Sequence, residues 1–94
     1  MYMISGAVTI NQIGGTYDET NQQLCNAGDV TTGGGWSLEN DVTIGNAQII
    51  GDAPIPVLGM LNDPPVGWVG RVTGTGSANF DFTVWVICIS NPNN

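Results

Sequence analysis

The chain has 94 residues, with one arginine, no lysine and no histidine against eight acids, for a net charge of −7. One cation cannot cover a run of phosphates, so nucleic-acid binding is excluded, and anionic lipid headgroups would repel the chain. No apolar run reaches the length that spans a bilayer, so membrane insertion is not expected, and the size holds one core, so residues 1–94 are read as a single domain.

The first run, from Met3 to Ile13, reads as a strand. Val8 and Ile10 alternate with Thr9 and Asn11, and Gly14-Gly15 breaks the pattern. Residues 1–13 form an N-terminal arm. The arm has no basic residue and is interrupted by Ser5 and Gly6, unlike a secretory signal. The chain is therefore expected to be a mature product, an excised domain, or a protein released by another route such as lysis. A short run then leads to Cys25, and Asn26-Ala27-Gly28-Asp29 is a turn. Gly33-Gly34-Gly35 runs into Trp36, Ser37 and Leu38. Phosphate-cradling glycines need a following helix and usually a lysine. Here a strand follows, so close backbone packing or a bulge is expected.

Val42, Ile44 and the stretch from Ala47 to Ile50 mark another strand or bent pair, broken at Gly45-Asn46. Pro54 and Pro56 impose an extended segment of edge character. Val57 to Leu61 is apolar, and Asn62-Asp63-Pro64-Pro65 is a loop. Gly67 to Thr73 is a strand, and Gly74-Thr75-Gly76-Ser77 is a turn. Phe80 to Ile89 is the clearest strand, and residues 90–94 form a polar tail. Helix signals are nearly absent. The reading is an all-β antiparallel sandwich or jelly roll of about seven or eight short strands, spaced roughly every ten residues.

Along the last strand Phe80, Phe82, Val84, Val86 and Cys88 share one face. The other carries Asp81, Thr83, Trp85, Ile87 and Ile89, which begins polar and ends apolar and must be covered. Trp85, Ile87 and Ile89, with Val8 and Ile10 of the arm, are the candidate oligomer interface. Trp68 with Asn62 and Asp63 is the candidate ligand-binding group, where a glycan or receptor would stack on the indole. The alternative for Trp36 and Trp68 is core packing.

Cys25 and Cys88 lie 63 positions apart. They are too few for a zinc site without histidine and lack redox spacing. The expectation is a disulfide, with two buried free thiols as the alternative. In the chain-entropy model a closed loop of that length contributes about 4 kcal/mol, and it implies an oxidising location. On this reading the arm lies outside the loop and is held only by strand pairing.

Without histidine or lysine, a Ser-His-Asp triad and Schiff-base chemistry are excluded. Most of the acids stand beside Gly, Asn or Pro, where turns favour them, so no enzymatic activity, no catalytic residue and no cofactor are expected. A structural calcium is the one ion these oxygens suit, at Asp18-Glu19, Asn40-Asp41 or Asn62-Asp63.

The ordered set Cys25-Asn26-Ala27-Gly28, Gly33-Gly34-Gly35, Gly67-Trp68 and Val84-Trp85-Val86-Ile87-Cys88-Ile89 resembles a small secreted bacterial domain. Its pattern runs C-P-A-G, G-G-G, G-W and a terminal V-Y-A-I-C-A. That domain commonly ends extracellular proteins, some with collagen-like repeats, and related sequences occur in phage fibre-like proteins. The resemblance covers about Ser5 to Ile89. Asn26 replaces the usual proline, Trp85 replaces the usual tyrosine, and Asp52 to Pro65 is longer and more apolar. The resemblance implies an extracellular, cell-surface or virion-surface β domain, often at a fibre tip, and no activity. The function expected is a structural module that self-associates as a trimer or filament, through apolar strand faces or an exchanged N-terminal strand. A glycan- or receptor-binding module is the alternative.

Overall fold

The computed structural model describes residues 1–43, 46–55 and 65–90, the side chains of residues 40–43 excepted. Six strands fill them: β1 (Tyr2–Gln12), β2 (Thr16–Leu24), β3 (Val30–Thr43), β4 (Gln48–Ile55), β5 (Gly67–Thr75) and β6 (Ala78–Ile89). They form two three-stranded antiparallel sheets, ordered β1-β6-β3 and β2-β5-β4. The described residues thus hold six strands, where seven or eight are expected from the sequence. The reason is length: β3 runs for 14 residues from Val30 to Thr43, so the strand expected at Trp36 to Leu38 continues through Val42, which reads as part of the next one. The expected apolar run from Val57 to Leu61 lies outside the described residues.

The two sheets bury one face each against the other. β6 alternates without a lapse: Ala78, Phe80, Phe82, Val84, Val86 and Cys88 are buried, and the intervening residues are not. β5 opposes it with Val72 and with Gly70, where an added Cβ would stand 2.8 Å from both Phe82 and Val84. The first sheet therefore supplies the bulk of the core and the second supplies room for it. Tyr17 of β2 closes the cluster edge-on to Phe80, with ring centroids 6.2 Å apart.

Connections that change sheet occur at both ends. At one end β1 turns into β2 through Gly14 and Gly15, at φ 75° and 80°. β5 turns into β6 through Gly76, at φ 88°. These are left-handed backbone values that favour glycine, and the Gly76 N–H ties the two corners by donating to the Gly15 carbonyl at 2.8 Å. At the other end Cys25, just past β2, is bonded to Cys88 on β6, with Cα atoms 5.8 Å apart. The expected disulfide is present and clamps one sheet to the other. It is compatible with an oxidising, secreted setting. No helix among the described residues is long and apolar enough to cross a membrane. Pro54 sits on β4, an edge strand of its sheet, the place where a proline is tolerated.

Candidate functional site

The outer face of the β1-β6-β3 sheet is set by register. Across the strands it reads Met3, Ile87 and Gly33, then Ser5, Trp85 and Gly35, then Ala7, Thr83 and Ser37, then Thr9, Asp81 and Glu39. Ile89 stands beside Val30 at the near end. The face is thus graded. The half around Met3, Trp85, Ile87, Ile89 and Val30 carries no charged side chain, and Met3 is 62% exposed. The far half ends in Asp81 and Glu39, with Thr9 donating to Asp81 at 2.8 Å and Ser37 to Glu39 at 2.8 Å.

Trp85 occupies the middle of this face because of the triple glycine. A Cβ on Gly35 would lie 2.5 Å from Trp85 Cζ2, so the indole lies over bare backbone. From the opposite side, Trp68 of β5 lies against Gly34, where a Cβ would overlap Cγ and Cδ2 of that ring. Two indoles therefore clasp the same stretch of β3, one from each face. A register shift between Thr31 and Gly33 adds the bulge expected of the run. The buried Thr31 hydroxyl holds that bulge, accepting from the Gly33 N–H at 3.1 Å and lying within bonding distance of the Gly33 and Ile87 carbonyls.

The expected interface residues divide. Trp85, Ile87 and Ile89 are half-buried on the outer face. Val8 and Ile10 are not on it: strand alternation turns both inward, Ile10 is 3% exposed within the core, and Val8 packs against it. The arm is also held by more than strand pairing. Tyr2 donates its hydroxyl to Asp29 and accepts from the Asn26 N–H at 3.1 Å, which fastens β1 to the turn beside Cys25. Burial first, and the Asp29 hydrogen bond second, push the Tyr2 phenol above its ordinary value of 10.0. Asn21 of β2, 4% exposed, donates to the carbonyls of Gly6 at 2.9 Å and Phe82 at 3.0 Å, and accepts from Gln23 at 2.9 Å. This amide knits the sheets at mid-length. The sequence signal for it was a strand whose less exposed positions, Tyr17, Asn21 and Gln23, offer only one ring.

The candidate ligand group does not assemble as expected. Asn62 and Asp63 lie outside the described residues. Trp68 packs against the core, and its indole N–H donates to Asp52 at 2.6 Å. This is the core-packing alternative. Of the calcium-type positions, Asp18 receives two hydrogen bonds from Arg71, the Nε one at 2.8 Å. That contact, ahead of the opposing effect of desolvation, holds its carboxyl below the ordinary 3.8. Among the described residues no three acidic or thiol groups converge as metal ligands do. Compared with known proteins, the chain matches no family model, no curated protein and no solved structure.

Proposed function

We propose that this chain is a non-enzymatic assembly module of an extracellular fibre, filament or virion surface. On this reading it is a small β-sandwich that associates with copies of itself through the uncharged half of the β1-β6-β3 outer face. The observation that carries this is the graded stripe centred on Trp85. A protein of net charge −7 whose one arginine is already paired within the chain has no unpaired basic side chain to offer a second copy. Self-contact is then favourable only where carboxylates are absent and apolar area is present. The half face of Met3, Trp85, Ile87, Ile89 and Val30 meets both conditions. Two copies meeting there leave the Asp81 and Glu39 half of each outside the contact. The resemblance to a fibre-end domain supports the same reading. Exchange of β1 is the less favoured route, because Ile10, Tyr2 and the Asn21 bond to Gly6 bind it to its own body.

Sedimentation equilibrium over a range of concentrations tests this. The expected result is a reversible oligomer for the native chain and a monomer for the double variant Met3→Ser, Ile87→Ser. A native chain that stays monomeric at the highest soluble concentration overturns the proposal.

A further inference from the structure

Met3 differs from its neighbours on the outer face of the β1-β6-β3 sheet. It lies on β1, an edge strand, in the row Met3, Ile87 and Gly33. It is 62% exposed, whereas Val30, Trp85, Ile87 and Ile89 are half-buried. At the other end of its row Gly33 leaves open space where a Cβ would stand. Trp85 occupies the next row on the same face, at the diagonal distance that a long side chain or an aromatic ring can span. Met3 is also the one thioether of that half. The other sulfurs among the described residues are Met1, exposed but ahead of β1, and the Cys25–Cys88 disulfide. The disulfide is compatible with an oxidising setting, in which an exposed thioether lacks the protection of cellular thiols.

We propose that Met3 is an oxidation site that controls this contact: a peroxide converts its thioether to the sulfoxide in the separated chain, and the sulfoxide blocks association. The inference rests on the self-association reading above. A sulfur lone pair attacks one peroxide oxygen, so the S–O bond forms as the O–O bond breaks. The proton of the transferred hydroxyl goes to the departing hydroxide, which leaves as water. The thioether is oxidised by two electrons and the peroxide is reduced. A flexible apolar side chain becomes a polar one. Seated against Ile87, Ile89 and Val30 of a second copy, the sulfoxide oxygen would give up water with no charged donor to replace it.

Sedimentation equilibrium of the full chain before and after brief treatment with hydrogen peroxide tests this, with tandem mass spectrometry locating the added oxygen. The expected result is that sulfoxide at Met3 raises the dissociation constant about tenfold or more. Raising the protein concentration should slow oxidation at Met3 and leave the rate at Met1 unchanged. Met3→Leu keeps the volume, the apolar character and the other two methionines. It should associate as the native chain does and keep its dissociation constant after peroxide. An untreated native chain that stays monomeric overturns the self-association reading and this inference together. Undiminished association of the Met3 sulfoxide overturns this inference alone, as does peroxide weakening Met3→Leu to the same extent as the native chain.

Discussion

The two sheets of this molecule divide the work unequally. The β1-β6-β3 sheet fills the core with Phe80, Phe82, Val84 and Val86, and its outer face is half apolar. The β2-β5-β4 sheet contributes Val72 and Tyr17, makes room with Gly70, and carries the Asp18–Arg71 pair on its own surface. A chain this short cannot afford two bulky inner faces about 10 Å apart. Glycine on one sheet lets large side chains of the other meet backbone directly. The same device recurs at Gly34 and Gly35, where it brings two indoles onto one strand. Glycine richness is thus a packing feature of the strands as well as a signature of turns.

Substitutions probe that asymmetry in order of expected size. Phe82→Ala, on the sheet that fills, should cost about 3–5 kcal/mol in denaturant unfolding. Its cavity would open beneath Gly70, which has no side chain to collapse into it. Removing the clamp between the sheets with Cys25→Ala and Cys88→Ala should cost about 2–5 kcal/mol, read as a fall in the denaturant midpoint matched by reduction of the native chain. Gly34→Ala, on the strand clasped by two indoles, should cost about 1–3 kcal/mol through overpacking. Its fluorescence should also change as Trp68 is displaced. An effect at the surface-glycine level would break the account of the triple glycine.

The smallest effects are those of pH, and they separate the sheets again. Asp18 sits on the β2-β5-β4 sheet with its carboxyl pKa lowered chiefly by the Arg71 hydrogen bonds. Its contribution is present above the ordinary value of 3.8 and is lost as pH falls through the lower folded value. Tyr2 sits on the β1-β6-β3 sheet with its pKa raised. Its contribution is complete below 10.0 and is lost as pH rises through the higher folded value. Thermal melts should therefore lose an acid-side decrement in Asp18→Asn and an alkaline-side decrement in Tyr2→Phe. Unchanged pH profiles would remove both contacts from the account.

Much of the β1-β6-β3 sheet was legible in the sequence, because β6 alternates cleanly from Phe80 to Ile89 and a polar-to-apolar gradient on its outer side is visible before any folding. The disulfide was legible from a count of two, and the edge role of Pro54 from its missing N–H. In the β2-β5-β4 sheet, β5 was legible as the run from Gly67 to Thr73, but the inward contacts of β2 were not. Asn21 acts through carbonyls 15 and 61 residues away and Tyr17 through its packing on Phe80, and neither is signalled by local pattern. Gly33 to Gly35 were legible as a bulge or close backbone packing, but what packs on them was not, because the tryptophans of β5 and β6 that lie against Gly34 and Gly35 are distant in sequence. Ile10 and Val8 show the same limit: alternation separates two faces, and only the pairing of β1 with β6 says which one turns inward.

The central claim is that one sheet face, and not the other, meets a second copy. Solvent paramagnetic relaxation of methyl groups, measured at low and high protein concentration, tests it on both sheets at once. The account predicts that Met3, Ile87 and Ile89 lose solvent access as concentration rises, while Leu24 and Ile50, exposed on the β2-β5-β4 sheet, keep theirs. Equal losses on both sheets, or losses confined to Leu24 and Ile50, would contradict it.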